Sequence, residues 1–348
     1  MSRQTLALRG VAIFLVVLNH AITLGLESLS GGGLAPMPAG QSTALVALLT
    51  LGLVAVPTFL ALSGSYLAYA LRGKTLAAGY RTVIAGLKFV VVPYFLWSIA
   101  FYVLIFFLRG DRLTIQEILK DLAVGYPFNF IPLLVAGYLI APFLVRVCER
   151  HPWLVLAVCV AYQAFVIGVL RPGVFGVTFP GWAIYLTPPG LRLSVALWGI
   201  FLPLGVVQGL HVSSMESFVE RAGWILALAV VAAYLIAVLN RLSIVAWPLA
   251  DLLCPIMFVL LFPRIRREQI PVVAHFERLG RRAYGLYLTN LITLSLALAG
   301  VEAVAPRLLG AFLVLLPLLM LITVGVPYLI VAAIERLSFP GAQRWVFG

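Results

Sequence analysis

Apolar stretches of about 20 residues follow one another along almost the whole chain, and this pattern restricts the possible folds more than any other feature. A helix that crosses the hydrocarbon core of a bilayer needs a stretch of this length. Of the 348 residues, 63% are hydrophobic and only 10% are charged, a composition that is unusual for soluble domains. The sequence therefore predicts an all-α integral membrane protein.

The apolar stretches predict a bundle of about ten transmembrane helices, which takes up the whole chain, residues 1–348, without a separate soluble domain. An even number of spans places both termini on the same side of the membrane. The predicted spans are 6–26, 43–71, 84–108, 128–146, 152–170, 191–210, 222–240, 243–262, 283–300 and 308–334.

The basic residues divide unequally between the two sides of this predicted topology. The side that holds both termini carries 17 of the 24 Lys and Arg residues, and the other side carries 7. Because short loops rich in Lys and Arg remain in the cytoplasm, both termini are predicted to be cytoplasmic. The net charge of +12 is then mainly a signal of topology. The expected partner is therefore the lipid bilayer, and nucleic acid is not expected.

The three cysteines give no sign of a disulfide framework or a metal site. They are odd in number and widely spaced, and no C-x-x-C motif occurs. We therefore expect no metal cofactor.

Polar residues interrupt the first predicted span. Arg9 lies near its start, and the pair Asn19–His20 lies in its second half. Eleven helical steps separate Arg9 from His20 by roughly 16 Å along the axis but by only about 20° around it, so both lie on one face. An ionisable residue at the depth of His20 is costly and often marks a functional site. A histidine bound by a neighbouring helix, with Arg9 as an interfacial anchor, is an equally weighted alternative.

Other predicted spans also contain polar side chains: Ser63 in the second, Asp251 in the eighth, and Tyr287 with Asn290 in the ninth. A central Asp costs roughly 2.5–3.5 kcal/mol on insertion scales, so Asp251 should have a partner or face water. Its role can be catalytic or structural. A carboxylate paired with His20 would orient the imidazole as a general base, but the sequence leaves open whether Asp251 reaches it.

Two loops have a distinctive composition. Residues 263–282 carry six arginines, which would attract anionic lipid headgroups or a phosphate-bearing donor such as coenzyme A. Arg281 and Arg282 are the best candidates for donor binding because they open the ninth span. Residues 171–190 carry four aromatic side chains, Trp182 among them. These rings can stack on sugars, although an interfacial aromatic belt is the favoured explanation.

Six motifs, in order along most of the chain, resemble those of acyltransferase family 3, the ten-span bacterial membrane O-acyltransferases. They are LRGVAIFLVVLNHA with Arg9 and His20, VPTFLALSGSYL with Ser63, YRTVIAGLKFVVVPYFLWS with Arg81 and Lys88, FIPLLVAGYLIAPFL, LGRRAYGLYLTNLITL with Tyr287 and Asn290, and the closing IERL. The chain departs from the family pattern at Leu6, where an acidic residue is frequent, and at Asn290, where His is usual. It also departs at Asn129–Phe130, where Trp-Phe is usual, and in the basic residues before the third span, which are thinned to Arg81 and Lys88.

The resemblance implies an enzyme of the bacterial cytoplasmic membrane, closest to the branch that modifies surface polysaccharides. Such an enzyme would transfer an acyl group from cytoplasmic acyl-CoA, most simply acetyl-CoA, to a glycan hydroxyl on the outer side. By this resemblance, His20 would act as base or covalent carrier, and Arg9, Arg81 and Lys88 would bind the donor. From their positions in the sequence, Asp251 is a third catalytic candidate beside His20 and Arg9, and Arg281 and Arg282 are further donor-binding candidates. Asn19, Ser63, Trp182, Tyr287 and Asn290 would contact substrate. A transporter or flippase that moves a polysaccharide intermediate without acylating it is the alternative.

Overall fold

The computed structural model describes residues 2–31, 38–110, 112–336 and 341–348, and these residues form α-helices joined by short 3₁₀ turns and loops. No strand occurs in these ranges. The helices are α1 (Arg3–Gly31), α2 (Ala39–Leu51), α3 (Ala55–Leu71), α4 (Leu76–Arg109), α5 (Ile115–Val124), α6 (Ile131–Cys148), α7 (Pro152–Leu170), α8 (Arg192–Trp198), α9 (Phe201–Leu210), α10 (Val212–Arg241), α11 (Ala250–Leu260), α12 (Val273–Arg281), α13 (Ala283–Val304), α14 (Phe312–Arg336) and α15 (Ala342–Phe347).

The all-helical membrane fold predicted from the apolar stretches is confirmed. Within the described residues, eight helices are long and apolar enough to cross a membrane, and the bent pair α8–α9 makes a ninth if it forms one span. The predicted second span consists of α2 and α3, which are joined by a 3₁₀ turn at Gly52–Val54. The eighth predicted span, 243–262, contains the 11-residue helix α11, about 16 Å long and shorter than the hydrocarbon core.

The contacts place both ends of the described chain at one end of the bundle, which we call the N-terminal end. Gln4 Nε2 donates to the carbonyl oxygens of Phe262 at 3.3 Å and Ile265 at 2.5 Å. Gly280 packs against the backbone of Leu6, and two residues later Arg282, just before α13, forms an ion pair with Glu335 at the end of α14. Which side of the membrane this end faces stays a prediction.

The segment that contains α11 returns from the opposite end of the bundle, which we call the far end. Helix α10 passes the N-terminal end at Glu220, whose carbonyl accepts from Arg264 Nη1 at 3.5 Å, and ends about 30 Å further on at Arg241. The chain then comes back to Ile265 beside Gln4. The chain between Arg241 and Ile265 thus connects the two ends of the bundle, although α11 covers only part of the distance between them. The predicted count of ten membrane crossings therefore stays a prediction.

Glycines allow the closest helix contacts in the bundle. A Cβ added at Gly10 would lie 1.9 Å from the Phe276 carbonyl oxygen, and one at Gly280 would lie 1.8 Å from the Leu6 carbonyl oxygen. Helices α1 and α12 therefore pack backbone against backbone, as small residues permit in membrane proteins. Because Gly10 follows Arg9, this contact fixes the position of Arg9 in the bundle.

The break between α8 and α9, where the two helices bend by 46°, is bridged by one buried side chain. Gln163 of α7 donates through Nε2 to the Ala196 carbonyl and accepts through Oε1 from the Ile200 backbone N–H, both at 2.9 Å. A broken helix leaves backbone groups without intrahelical partners. The Gln163 amide provides hydrogen-bond partners for two of these groups, a carbonyl and an N–H, which would otherwise be unpaired in an apolar environment.

Gln163→Leu is therefore expected to destabilise the protein by about 2–4 kcal/mol, because it leaves a buried N–H and a buried carbonyl without partners. Unfolding in a titration with a denaturing detergent measures the change. Tyr162→Phe is the matched control. It removes the exposed hydrogen bond from Tyr162 to the Leu186 carbonyl and is expected to change stability by less than about 0.5 kcal/mol. Equal stability of the two variants would contradict the role given to Gln163.

Candidate active site

A chamber of about 460 Å³ lies in the far half of the bundle, where three irregular backbone segments meet. These segments are the 3₁₀ turn Gly52–Val54, the loop before α6, and the break after Trp198. Non-helical backbone at membrane depth is tolerated where it lines a polar cavity. The polar and aromatic residues that line the chamber are Asn19, His20, Asn129, Phe130, Trp198, Arg241, Asp251 and Tyr287.

His20 is bound by Asn290 of α13. His20 Nδ1 lies 2.8 Å from Asn290 Oδ1, and the Asn290 side chain is fully buried. Asn290 Nδ2 donates to the carbonyl oxygens of Leu286 at 3.1 Å and Tyr287 at 2.5 Å. Since two carbonyls require the amide nitrogen on their side, the amide oxygen must face His20.

This arrangement determines the tautomer of His20. The Asn290 amide oxygen can only accept a hydrogen bond, so His20 Nδ1 must carry the proton. In the neutral imidazole, Nε2 then keeps its lone pair. The His20 side chain is partly exposed because it lines the chamber. Histidine thus presents to the chamber a nitrogen that can accept a proton or attack a carbonyl carbon.

Asp251, whose partner the sequence left open, pairs with Arg241 rather than with His20. Arg241 Nη2 and Asp251 Oδ2 lie 3.1 Å apart, and both side chains are partly exposed to the chamber. Sequence reasoning missed Arg241 as a site residue. The one available signal was the need of Asp251 for a partner, with an arginine ten residues earlier in the chain.

Arg9 and Ser63 lie outside the chamber but belong to one polar cluster around Tyr138. Arg9 interacts electrostatically with Tyr138, and Tyr138 interacts with the Ser63 hydroxyl. Arg9 lies eleven residues before His20 on α1, about 16 Å closer to the N-terminal end. The guanidinium and the imidazole are therefore on the same helix but at different depths.

The other four predicted donor-binding residues lie at the N-terminal end and do not line the chamber. Lys88 Nζ lies 5.0 Å from the ring centroid of Phe89, and Arg282 pairs with Glu335. Arg81 and Arg281 are exposed.

Of the predicted substrate-binding residues, two line the chamber and one lies at the surface, whereas Ser63 belongs to the Tyr138 cluster and the buried Asn290 contacts His20. Asn19 and Tyr287 line the chamber, and the ring of Tyr287 lies 4.6 Å from that of Phe130, centroid to centroid. Trp182 is on the 3₁₀ segment Gly181–Leu186, outside the chamber, and 62% of its surface is exposed. Trp182 is thus at the surface, where it can contact lipid or an approaching ligand.

The fold and the chamber define a multi-pass helical membrane protein with a histidine-lined site between its spans. A family model described as "Acyltransferase domain" matches residues 7–332, nearly the whole chain. The chain belongs to acyltransferase family 3, and this membership supports a membrane acyltransferase in general terms. No curated protein and no solved structure matches the chain.

Proposed function

We propose that this protein is an O-acyltransferase that moves an acyl group from acyl-CoA to a glycan hydroxyl. Acetyl-CoA is the simplest donor. The observation that carries the proposal is the hydrogen bond between His20 Nδ1 and Asn290, because it leaves Nε2 with its lone pair on a side chain that lines a chamber large enough for reacting groups. Family membership supplies the reaction class.

The proposed reaction forms an ester C–O bond and breaks the thioester C–S bond. In the direct route, the acceptor hydroxyl gives its proton to His20 Nε2 as its oxygen attacks the thioester carbon, and the coenzyme A thiolate then takes up that proton. In the covalent route, Nε2 itself attacks the thioester carbon and expels the coenzyme A thiolate. The acceptor hydroxyl then attacks the acyl group on Nε2, which frees the imidazole, and the hydroxyl proton passes to the thiolate. Both routes need an unprotonated Nε2 in the chamber.

The two substrates would enter from opposite ends. The N-terminal end carries Arg81, Lys88, Arg281 and Arg282, and basic residues attract the phosphates of coenzyme A. With this end in the bacterial cytoplasm, as the charge distribution predicts, the donor approaches past Arg9. The glycan acceptor then approaches from the far end, where the exposed Trp182 offers a ring on which a sugar can stack.

Arg9→Lys is expected to weaken acyl-CoA binding by about ten- to a hundredfold, because lysine replaces a planar fork of N–H donors by a point charge. Binding of a non-hydrolysable acyl-CoA analogue to purified protein measures the effect. Arg3→Lys is the matched control, an exposed arginine on the same helix that should bind the analogue normally. Equal affinity of wild type and Arg9→Lys would leave Arg9 as an interfacial anchor.

Proteoliposomes with the purified wild-type protein test the proposed function. They are supplied with radiolabelled acetyl-CoA and a lipid-linked oligosaccharide, and both release of the coenzyme A thiol and label on the glycan are measured. The proposal predicts equal amounts of thiol and acylated glycan. Movement of the oligosaccharide across the bilayer without thiol release would contradict it and would favour the transporter.

A further inference from the structure

A second chamber of about 350 Å³ adjoins the one that contains His20. The two share three lining residues, Leu197, Asp251 and Leu252. The second chamber also reaches Arg171 at the end of α7 and Arg192 at the start of α8. The shared residues make Asp251 part of the boundary between the chambers.

The two arginines of the second chamber bond to neutral groups. Arg171 Nη1 donates to the Pro248 carbonyl at 3.2 Å. Arg192 donates through Nε to the Thr187 hydroxyl at 2.8 Å and through Nη2 to the Ile184 carbonyl at 3.3 Å. In the described part of the chain no carboxylate forms an ion pair with either guanidinium, since Asp251 pairs with Arg241. These contacts fix both arginines but do not neutralise their charge.

The position of these charges needs an explanation other than topology. The side predicted to be outside the cytoplasm has 7 of the 24 Lys and Arg residues, and basic residues are not needed there for orientation. Three of the seven, Arg171, Arg192 and Arg241, line the two chambers. With Asp251 as the acidic residue among them, the chambers carry a net positive charge that favours an anion.

The rest of the second chamber is apolar. Ile167, Leu170, Leu193 and Ala196 form this part of its lining, and Leu193 is largely exposed on the outside of the bundle. A ligand that fits the second chamber needs an anionic group, which the two guanidinium groups can bind. It also needs a hydrocarbon part, which can lie against the aliphatic side chains and the surrounding lipid.

We propose that the second chamber binds the phosphate group of an anionic lipid, and that this group belongs to the lipid carrier of the acceptor glycan. The phosphate is held by Arg171 and Arg192, and the glycan hydroxyl passes Asp251 to reach His20. This assignment rests on the proposed function for the identity of the acceptor, but the binding of a lipid phosphate is independent of acyl transfer.

Binding measurements on the purified protein in neutral detergent test the proposal with three probes: dioctanoyl phosphatidate, dioctanoylglycerol with the same tails and no charge, and inorganic phosphate. We expect saturable phosphatidate binding that is at least about tenfold tighter than binding of either other probe. Equal affinity for dioctanoylglycerol would contradict the role of the arginines. Equal affinity for inorganic phosphate would contradict the lipid assignment.

Two variants locate the binding site. Arg171→Gln/Arg192→Gln should weaken phosphatidate binding by at least about tenfold, because the charge-assisted hydrogen bonds are lost. Arg307→Gln removes an exposed arginine from the same side without touching either chamber, and it should bind normally. Unchanged binding in the double variant would overturn the proposal. The comparison of the three probes on wild type remains decisive should the double variant fail to fold.

His20→Gln separates this proposal from the proposed function. This variant should bind phosphatidate normally while losing acyl transfer. Normal phosphatidate binding together with retained acyl transfer would refute the role of His20 and leave the second chamber as assigned. If the wild-type protein transfers acyl groups but does not prefer phosphatidate over the other two probes, the lipid-phosphate site alone is refuted.

Discussion

His20→Ala is expected to lower the rate of acyl transfer by about 10²–10⁴-fold if His20 is the general base, and to abolish turnover if it is an obligatory covalent carrier. Both results follow from the contact of His20 Nδ1 with Asn290, which leaves the Nε2 lone pair available on a side chain that lines the chamber. Donor binding should remain, because Arg9 lies about 16 Å away along α1. The expected signature is a fall in kcat with little change in the donor KM.

Two further variants serve as controls for the loss of activity in His20→Ala. His20→Gln keeps most of the side-chain volume and should be equally inactive, so an inactive His20→Ala protein cannot be attributed to a collapsed chamber. His151→Ala removes an exposed histidine outside the chamber and should transfer acyl groups normally. Full activity of a folded His20→Ala protein would refute the mechanism.

Asn290→Leu is expected to lower acyl transfer by between about tenfold and 10⁴-fold, the upper value being that for loss of the aspartate that orients the histidine of a serine protease. Leucine has the branched shape and the number of heavy atoms of asparagine but offers no acceptor, so the Nδ1 proton is no longer held and either tautomer can form. Because Asn290 acts through His20, the loss should appear in kcat and not in the donor KM.

The conservative variant separates positioning from stability. Asn290→His restores the residue that is usual in the family, and it can accept a hydrogen bond from His20, so it should keep much of the activity that Asn290→Leu loses. Equal losses in the two variants, accompanied by equal losses of stability, would show that Asn290 is structural. Unfolding of Asn290→His alone would indicate that the residue does not correspond to the family's histidine.

The sequence predicted the helices well because the length of an apolar stretch follows directly from the thickness of a bilayer. It did not predict the break at Trp198 or the short helix α11, because a span that lines a cavity needs neither full length nor continuity. It also ended the first span at residue 26, whereas α1 continues to Gly31. Helix ends beyond the apolar core leave only a weak signal in the sequence.

The candidate site was predicted residue by residue but not as an arrangement. His20, Asn290 and Asp251 were all marked, because each is a polar side chain in an apolar span. Which of them meet depends on how the helices pack, and His20 and Asn290 are 270 residues apart in the chain. The structure pairs His20 with Asn290 and Asp251 with Arg241. Helical periodicity predicts the face of its own helix on which a residue lies, but not its partner on another helix.

The central claim is that Asn290 holds the proton of His20 on Nδ1 and so leaves Nε2 unprotonated in the chamber. Nitrogen-15 NMR of the purified protein with labelled histidine tests it most directly, at about pH 9, where an ordinary imidazole is neutral. The His20 signals are assigned by comparison with His20→Gln. We expect a protonated Nδ1 and an unprotonated Nε2 in wild type, and a mixture of tautomers in Asn290→Leu. A His20 ring protonated on Nε2 in wild type would contradict the claim.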